Sequence, residues 1–172
     1  MNQVWRQLSR SEADPIWDRF YTQFSFRPSV KAEDWPGIVE PVPSITWNIS
    51  EAWNDPDPNL TESNAETNSS ILQALRAATS QTDKVFALDW QHPCFEFALH
   101  SSEAAVEPAS WPIPVIPNGD YSIFLSADFR LGLFGHPWEA TVCVFGESLL
   151  TGVRASTPPL FSPVVRCNGR PA

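Results

Sequence analysis

Proline sets the limits on where this chain can form regular structure. The sequence has 17 prolines among 172 residues. Each proline removes a backbone donor, fixes its own φ and restricts the residue before it, so it interrupts helices and sheet ladders. The prolines concentrate in residues 26–43, in two His-Pro pairs, in residues 111–117 and near the C-terminus. This distribution predicts short strands and helices joined by irregular connections.

The segments between the prolines carry apolar patterns that are typical of strands. Alternating or continuous apolar residues occupy residues 44–50, 84–90, 94–99, 121–125, 131–134 and 141–145. Asn118 and Gly119 form the pair that favours a tight hairpin turn, and the His-Pro pairs at 92–93 and 136–137 also turn the chain. The last three or four of these strands are therefore expected to form an antiparallel meander.

Two segments have helical spacing. Asp14 is the predicted N-cap of the first helix and Pro15 its first residue, and apolar side chains from Ile16 to Phe24 recur every three or four positions. A second, short amphipathic helix is expected to end near Ala78, and residues 147–150 are expected to form a helical turn. The predicted fold class is α+β, an antiparallel sheet with one or two helices packed on one face.

The composition predicts a single domain over residues 1–152. Within it, residues 54–69 are acidic, rich in Asn and Ser and interrupted by proline, which favours a mobile surface loop. Residues 153–172 contain four prolines and are expected to form an extended tail. No apolar run approaches the roughly 18 residues that span a bilayer, and the first residues lack the apolar core of a signal peptide. A cytoplasmic location is therefore expected.

The charge narrows the range of partners. Eleven basic and twenty acidic residues give a net charge of −9, and the basic residues form no patch along the sequence. Nucleic acids and anionic membranes are therefore not expected as partners, because both are bound through Lys and Arg. A basic protein partner or a small molecule is expected instead. No cofactor is predicted, because the seven glycines form no nucleotide-binding motif.

The two His-Pro turns suggest one candidate site. Each turn follows a strand and then presents an aromatic residue and a glutamate: His92 is followed by Phe95 and Glu96, and His136 by Trp138 and Glu139. If the turns are neighbours, both histidines converge with carboxylates into an acid–base or metal site. The candidate catalytic residues are His92, His136, Asp89 and Glu139. Turn histidines also serve to hydrogen-bond the backbone, so a purely structural role stays open, as does the presence of a metal.

Aromatic residues near the turns are candidates for binding a ligand or partner. Trp90, Trp111, Tyr121 and Trp138 combine an apolar ring with a polar atom, as residues at binding surfaces often do. Cys94 lies two residues after His92, on the same side of an extended strand, but no motif indicates an oxyanion hole or an activated thiol.

Four blocks of sequence resemble a known bacterial family. Residues 17–28, 87–93, 117–125 and 134–146 are similar, in this order, to the family catalogued as domain of unknown function 2716. The resemblance covers most of residues 14–150 and implies one compact bacterial domain whose common pattern includes both His-Pro turns. It implies no reaction.

Two functions fit these observations. The first is an acidic cytoplasmic protein-binding module, similar to immunity proteins that inhibit a toxin. The alternative is a small enzyme that acts on a small molecule through the His and carboxylate residues of the two turns. The sequence does not decide between a catalytic and a non-catalytic protein.

Overall fold

A computed structural model describes residues 4–54 and 60–172 of the chain. In this part of the chain, nine strands form one antiparallel sheet: β1 (Trp5–Gln7), β2 (Ser44–Asn48), β3 (Val85–Asp89), β4 (Phe95–Phe97), β5 (Ser122–Ser126), β6 (Gly132–His136), β7 (Thr141–Phe145), β8 (Val164–Cys167) and β9 (Arg170–Pro171). The same residues form four α-helices: α1 (Arg10–Phe24), α2 (Glu51–Asn54), α3 (Leu60–Ala78) and α4 (Glu147–Ala155). The spatial order of the strands is β1-β4-β3-β5-β6-β7-β2-β8-β9.

The predicted antiparallel α+β fold is confirmed, and β5, β6 and β7 form the expected meander. The prediction that helices cover only one face is wrong. Alternate residues of the central strands belong to two separate apolar clusters, one containing Phe20 and Phe24 of α1 and the other containing residues of α3 and α4. The three central residues of β5 and the last four of β7 are apolar, so apolar side chains point to both faces of the sheet and both faces must be covered. We call these two sides the α1 face and the α3 face.

Helix α1 begins four residues before the predicted cap. Ser9 is the N-cap: its backbone N–H and its hydroxyl both donate to Glu12 Oε2, each at 2.8 Å. Pro15 therefore lies inside the helix rather than at its first position. The sequence Ser-x-x-Glu at 9–12 is a capping signal that outweighs the Asp-Pro pair at 14–15.

The predicted loop over residues 54–69 is wrong for residues 60–69, because α3 begins at Leu60; residues 55–59 lie outside the described residues. Asn68 of this helix is buried and hydrogen-bonds to distant parts of the chain. Asn68 Nδ2 donates to the Pro108 carbonyl at 2.7 Å, and the Val115 N–H donates to Asn68 Oδ1 at 2.9 Å. No helix in the described ranges is both long and apolar enough to cross a membrane.

The predicted extended tail over residues 153–172 is also wrong. Helix α4 continues to Ala155, and β8 then pairs with β2 and with β9, so the tail completes one edge of the sheet. Residues 111–117, in contrast, form no strand, and Asn118-Gly119 connects β5 to irregular chain instead of closing a hairpin. Three prolines in this segment explain its irregular backbone.

Candidate functional site

Both His-Pro turns lie at the same end of the sheet. β3 ends at Asp89, which is opposite Ser122 at the start of β5, and β6 ends at His136, which is opposite Thr141 at the start of β7. Tyr121, immediately before β5, lies between the turns: its ring centroid is 6.0 Å from that of Trp90 and 4.9 Å from that of His136. The structure thus brings the two turns together, but their histidines have opposite environments.

His136 is completely buried. Its Nδ1 accepts a hydrogen bond from the Glu139 backbone N–H at 3.0 Å, which assigns the proton of the neutral ring to Nε2. Within the described residues Nε2 has no hydrogen-bond partner, and the rings of Trp35, Tyr121 and Trp138 pack edge-on around the imidazole. Burial lowers the pKa of His136 to about 4. This histidine is neutral at pH 7 and holds its turn.

Glu139 belongs to a buried ion cluster that ties the C-terminal hairpin to the turn. Arg166 of β8 donates to both Glu139 oxygens, at 2.6 and 2.9 Å, and to Glu40 Oε1 at 2.9 Å. Thr141 Oγ1 donates to Glu139 at 2.7 Å. Burial opposes ionisation of Glu139, but the hydrogen bonds from Arg166 and Thr141 outweigh it and keep the pKa of Glu139 below its usual value. We call Glu40, Glu139 and Arg166 the ion triad.

His92 is exposed and lies next to two carboxylates. Its Nδ1 is 3.1 Å from Asp89 Oδ1 and 3.6 Å from Asp120 Oδ2, and 2.9 Å from the Trp90 carbonyl oxygen. Asp89 is the main cause that raises the pKa of His92, and burial raises the pKa of both aspartates. We call Asp89, His92 and Asp120 the Asp–His cluster.

A groove of about 740 Å³ opens beside His92. Side chains of α1, including Trp17 and Tyr21, form one wall, and residues 90–94 form the other. The Trp90 indole N–H donates to the Tyr21 hydroxyl at 2.9 Å across the groove. The volume is in the range of pockets that bind small molecules or single side chains of a partner.

Cys94 lines this groove but is not an activated nucleophile. The residue is buried, and its thiol lies 3.6 Å from the His92 carbonyl oxygen and 3.8 Å from that of Asp89. Burial raises the pKa of the thiol above its ordinary value. A thiol of this kind stays protonated at neutral pH.

The structure separates the candidate Trp111, and the glutamate that follows the first His-Pro turn, from the site. Trp111 is buried on the α3 face, where its ring contacts Trp5 and Phe97, so it does not join Trp90 and Tyr121. Glu96 instead forms ion pairs with Arg6 and Lys84. Trp138 does remain near the turns, partly exposed, with its ring 5.2 Å from that of Tyr121.

Sequence reasoning missed Asp120, Tyr21 and Arg166. Asp120 follows the Asn-Gly pair and precedes β5, so the pairing of β5 with β3 would have placed it beside Asp89. Tyr21 lies in α1, within the predicted helical repeat from Ile16 to Phe24. Arg166 carries no local signal, because its partners are 27 and 126 residues away along the chain.

The comparisons with known proteins identify a family but no reaction. The profile of a family described as "Protein of unknown function (DUF2716)" matches residues 7–150. The chain belongs to this family. The chain is also 37% identical over 161 residues to "Uncharacterized protein YxiI" of Bacillus subtilis (strain 168), a match that covers 91% of this chain and 96% of that protein. No solved structure matches this DUF2716 member.

Proposed function

We propose that this protein is a bacterial cytoplasmic binding protein whose groove takes a basic segment of a partner protein. The observation that carries the proposal is the Asp–His cluster: two partly buried carboxylates flank His92, and His92 lines the aromatic groove. Arg10 is the one Lys or Arg among the groove residues, and it is exposed and 3.6 Å from Asp14. The two carboxylates therefore favour a cation supplied from outside.

The aromatic walls fit the same kind of ligand. Trp17, Tyr21 and Trp90 present ring surfaces in the groove, and Lys or Arg side chains bind well against such rings when a carboxylate is close. The net charge of −9 accelerates encounter with a basic surface, and this attraction is sensitive to salt. In this proposal the protein acts as immunity proteins do, by covering a basic surface of its partner.

The test is a binding titration with a fluorescent hexa-arginine peptide, followed by anisotropy in EDTA. The site variant combines Asp89→Asn with Asp120→Asn. The control variant combines Glu33→Gln with Glu147→Gln, two exposed glutamates away from the groove, so that both variants lose the same net charge. We expect the site variant to weaken binding at least about tenfold more than the control, because the lost charges are partly desolvated. Equal losses in both variants would show that only the overall charge attracts the peptide and would refute the proposal.

A second function, a small-molecule enzyme, is favoured by one observation. His92 and Asp89 form a hydrogen-bonded pair at 3.1 Å beside the groove, and the raised pKa of His92 suits a general acid. His136 and Glu139 take no part in this proposed catalysis, because they are buried in the second turn. The measurement is turnover of chromogenic phosphate and carboxylate esters by wild type, His92→Gln and, as a control, His100→Gln. Activity that survives His92→Gln, or no turnover by wild type, counts against it.

A further inference from the structure

The Asp–His cluster has more acceptor atoms than its single donor can satisfy. Three oxygens surround His92 Nδ1: the Trp90 carbonyl at 2.9 Å, Asp89 Oδ1 at 3.1 Å and Asp120 Oδ2 at 3.6 Å. An imidazole nitrogen carries at most one proton, and two of these oxygens belong to carboxylates. Even when His92 is protonated, two carboxylates face one positive charge, so this cluster keeps a net negative charge where the three side chains meet.

We propose that Asp89, His92 and Asp120 bind a divalent transition-metal ion of the zinc type. One ligand atom from each residue lies within 4.8 Å of the other two. An ion about 2.1 Å from each ligand requires the ligand atoms to be roughly 3.0–3.6 Å apart. The distances of 3.1 and 3.6 Å from His92 Nδ1 already have these values. The ion would take the place of the Nδ1 proton.

The ligand types select the metal. One imidazole and two carboxylates suit Zn²⁺, Co²⁺ or Mn²⁺, whereas Ca²⁺ and Mg²⁺ prefer oxygen ligands throughout. Three protein ligands leave at least one coordination position for water or a ligand in the groove, as in zinc sites that are not purely structural.

The backbone holds these ligands in place. Asp89 and Asp120 come from adjacent strands, at the end of β3 and just before β5. Asp120 Oδ1 accepts the Tyr121 backbone N–H at 2.8 Å, which leaves Oδ2 free to face His92. The backbone N–H of His92 donates to the backbone carbonyl of Asp89 at 3.2 Å, and Gln91 between them has a φ of 64°. The side chain of His92 is 56% exposed, which opens the cluster to ions in solution.

This inference requires neither a protein partner nor turnover, so it stands apart from the proposed function. The metal is titrated without peptide, and the peptide is titrated in EDTA. Failure of one experiment therefore leaves the other unaffected.

The experiment uses the full chain with Cys167→Ser, because this exposed thiol is a competing metal ligand. After EDTA treatment and its removal, Co²⁺ is titrated and followed by visible absorption, and Zn²⁺ is titrated by calorimetry. We expect one ion per chain, a Co²⁺ spectrum without thiolate charge-transfer bands, and an affinity at least about tenfold weaker in Asp120→Asn and in His92→Gln.

His100→Gln and Asp83→Asn are the matched controls, because they remove the same side-chain types outside the cluster. Both should bind as the parent does. Circular dichroism before titration shows that each variant is folded, which is expected for His92→Gln because this side chain is largely exposed. Three results would overturn the proposal: fewer than one ion per chain, thiolate bands in the spectrum, or equal affinity in the cluster variants and the controls.

Discussion

Replacing Arg166 with methionine removes the cation of the ion triad and keeps an apolar side chain of similar length. The guanidinium makes hydrogen bonds to both oxygens of Glu139 and to one oxygen of Glu40. The side chains of the three residues are only 16%, 13% and 2% exposed, respectively. Without Arg166, two carboxylates stay in this buried position with no cation beside them.

The expected loss is large because water cannot replace the missing partner. Removing one member of a buried ion pair typically costs about 3–5 kcal/mol, since the remaining charge stays desolvated. A domain of this length has a free energy of unfolding of about 5–15 kcal/mol, so the variant should still fold at 25 °C. Its melting temperature should fall by on the order of 10 °C. Ordering of the β8–β9 hairpin should weaken as well, because Arg166 links β8 to the β6–β7 turn.

The assay is urea unfolding at pH 7, followed by tryptophan fluorescence. Arg130→Gln is the control, since Arg130 pairs with Asp128 at 2.8 Å but both side chains are more than half exposed. Such surface pairs contribute up to about 1 kcal/mol. A second variant combines Arg166→Met with Glu40→Gln and Glu139→Gln, which removes all three charges.

We expect this triple variant to be more stable than Arg166→Met alone, because it leaves no uncompensated charge. The difference in unfolding free energy between wild type and Arg166→Met should also narrow as the pH falls and Glu139 takes up a proton. If Arg166→Met costs no more than Arg130→Gln, or if the triple variant is the least stable, the argument from buried charge is refuted.

Two further predictions concern titration and thiol reactivity. The ring protons of His136 should keep a constant NMR shift from pH 8 to pH 5, because burial lowers its pKa to about 4, whereas His92 should titrate above the ordinary value of about 6.5. The unfolded chain binds the His136 proton near pH 6.5, so this residue's contribution to stability is lost as the pH falls from there towards 4; identical midpoints for the two histidines would contradict this. In the native protein, Ellman's reagent should modify Cys167 alone, because the other two cysteines are buried and burial raises the pKa of Cys143 to about 12. After unfolding, it should modify three thiols per chain. Rapid modification of a second native thiol would show that the core opens.

Local patterns predicted most of the strands. Residues 141–145 form β7 with the predicted bounds, and the other five predicted strands contain or closely overlap β2 to β6. These elements were predictable because apolar runs end at turn residues that the chain itself marks. Membership of the family, which resemblance in four sequence blocks predicted, is confirmed over residues 7–150.

The errors occur where distant contacts outweigh local composition. Asn68 looks like a loop residue, yet its amide hydrogen-bonds Pro108 and Val115 inside the protein. The C-terminal residues look extended, yet they form β8 and β9 because β2 offers an unpaired edge. The sequence predicts that Trp111 lies with the aromatic residues of the turns, but it packs on the α3 face.

The sequence by itself determined the antiparallel sheet, the acidic charge and the two His-Pro turns, because each depends on residues that are close along the chain. Only the tertiary structure decided that the two histidines differ. The rings of Trp35 and Tyr121, which come from distant parts of the chain, pack with Trp138 around the buried His136. His92 stays exposed beside Asp89 and Asp120. Burial and the spacing of charges depend on how strands pair across the sheet, and local sequence does not contain that information.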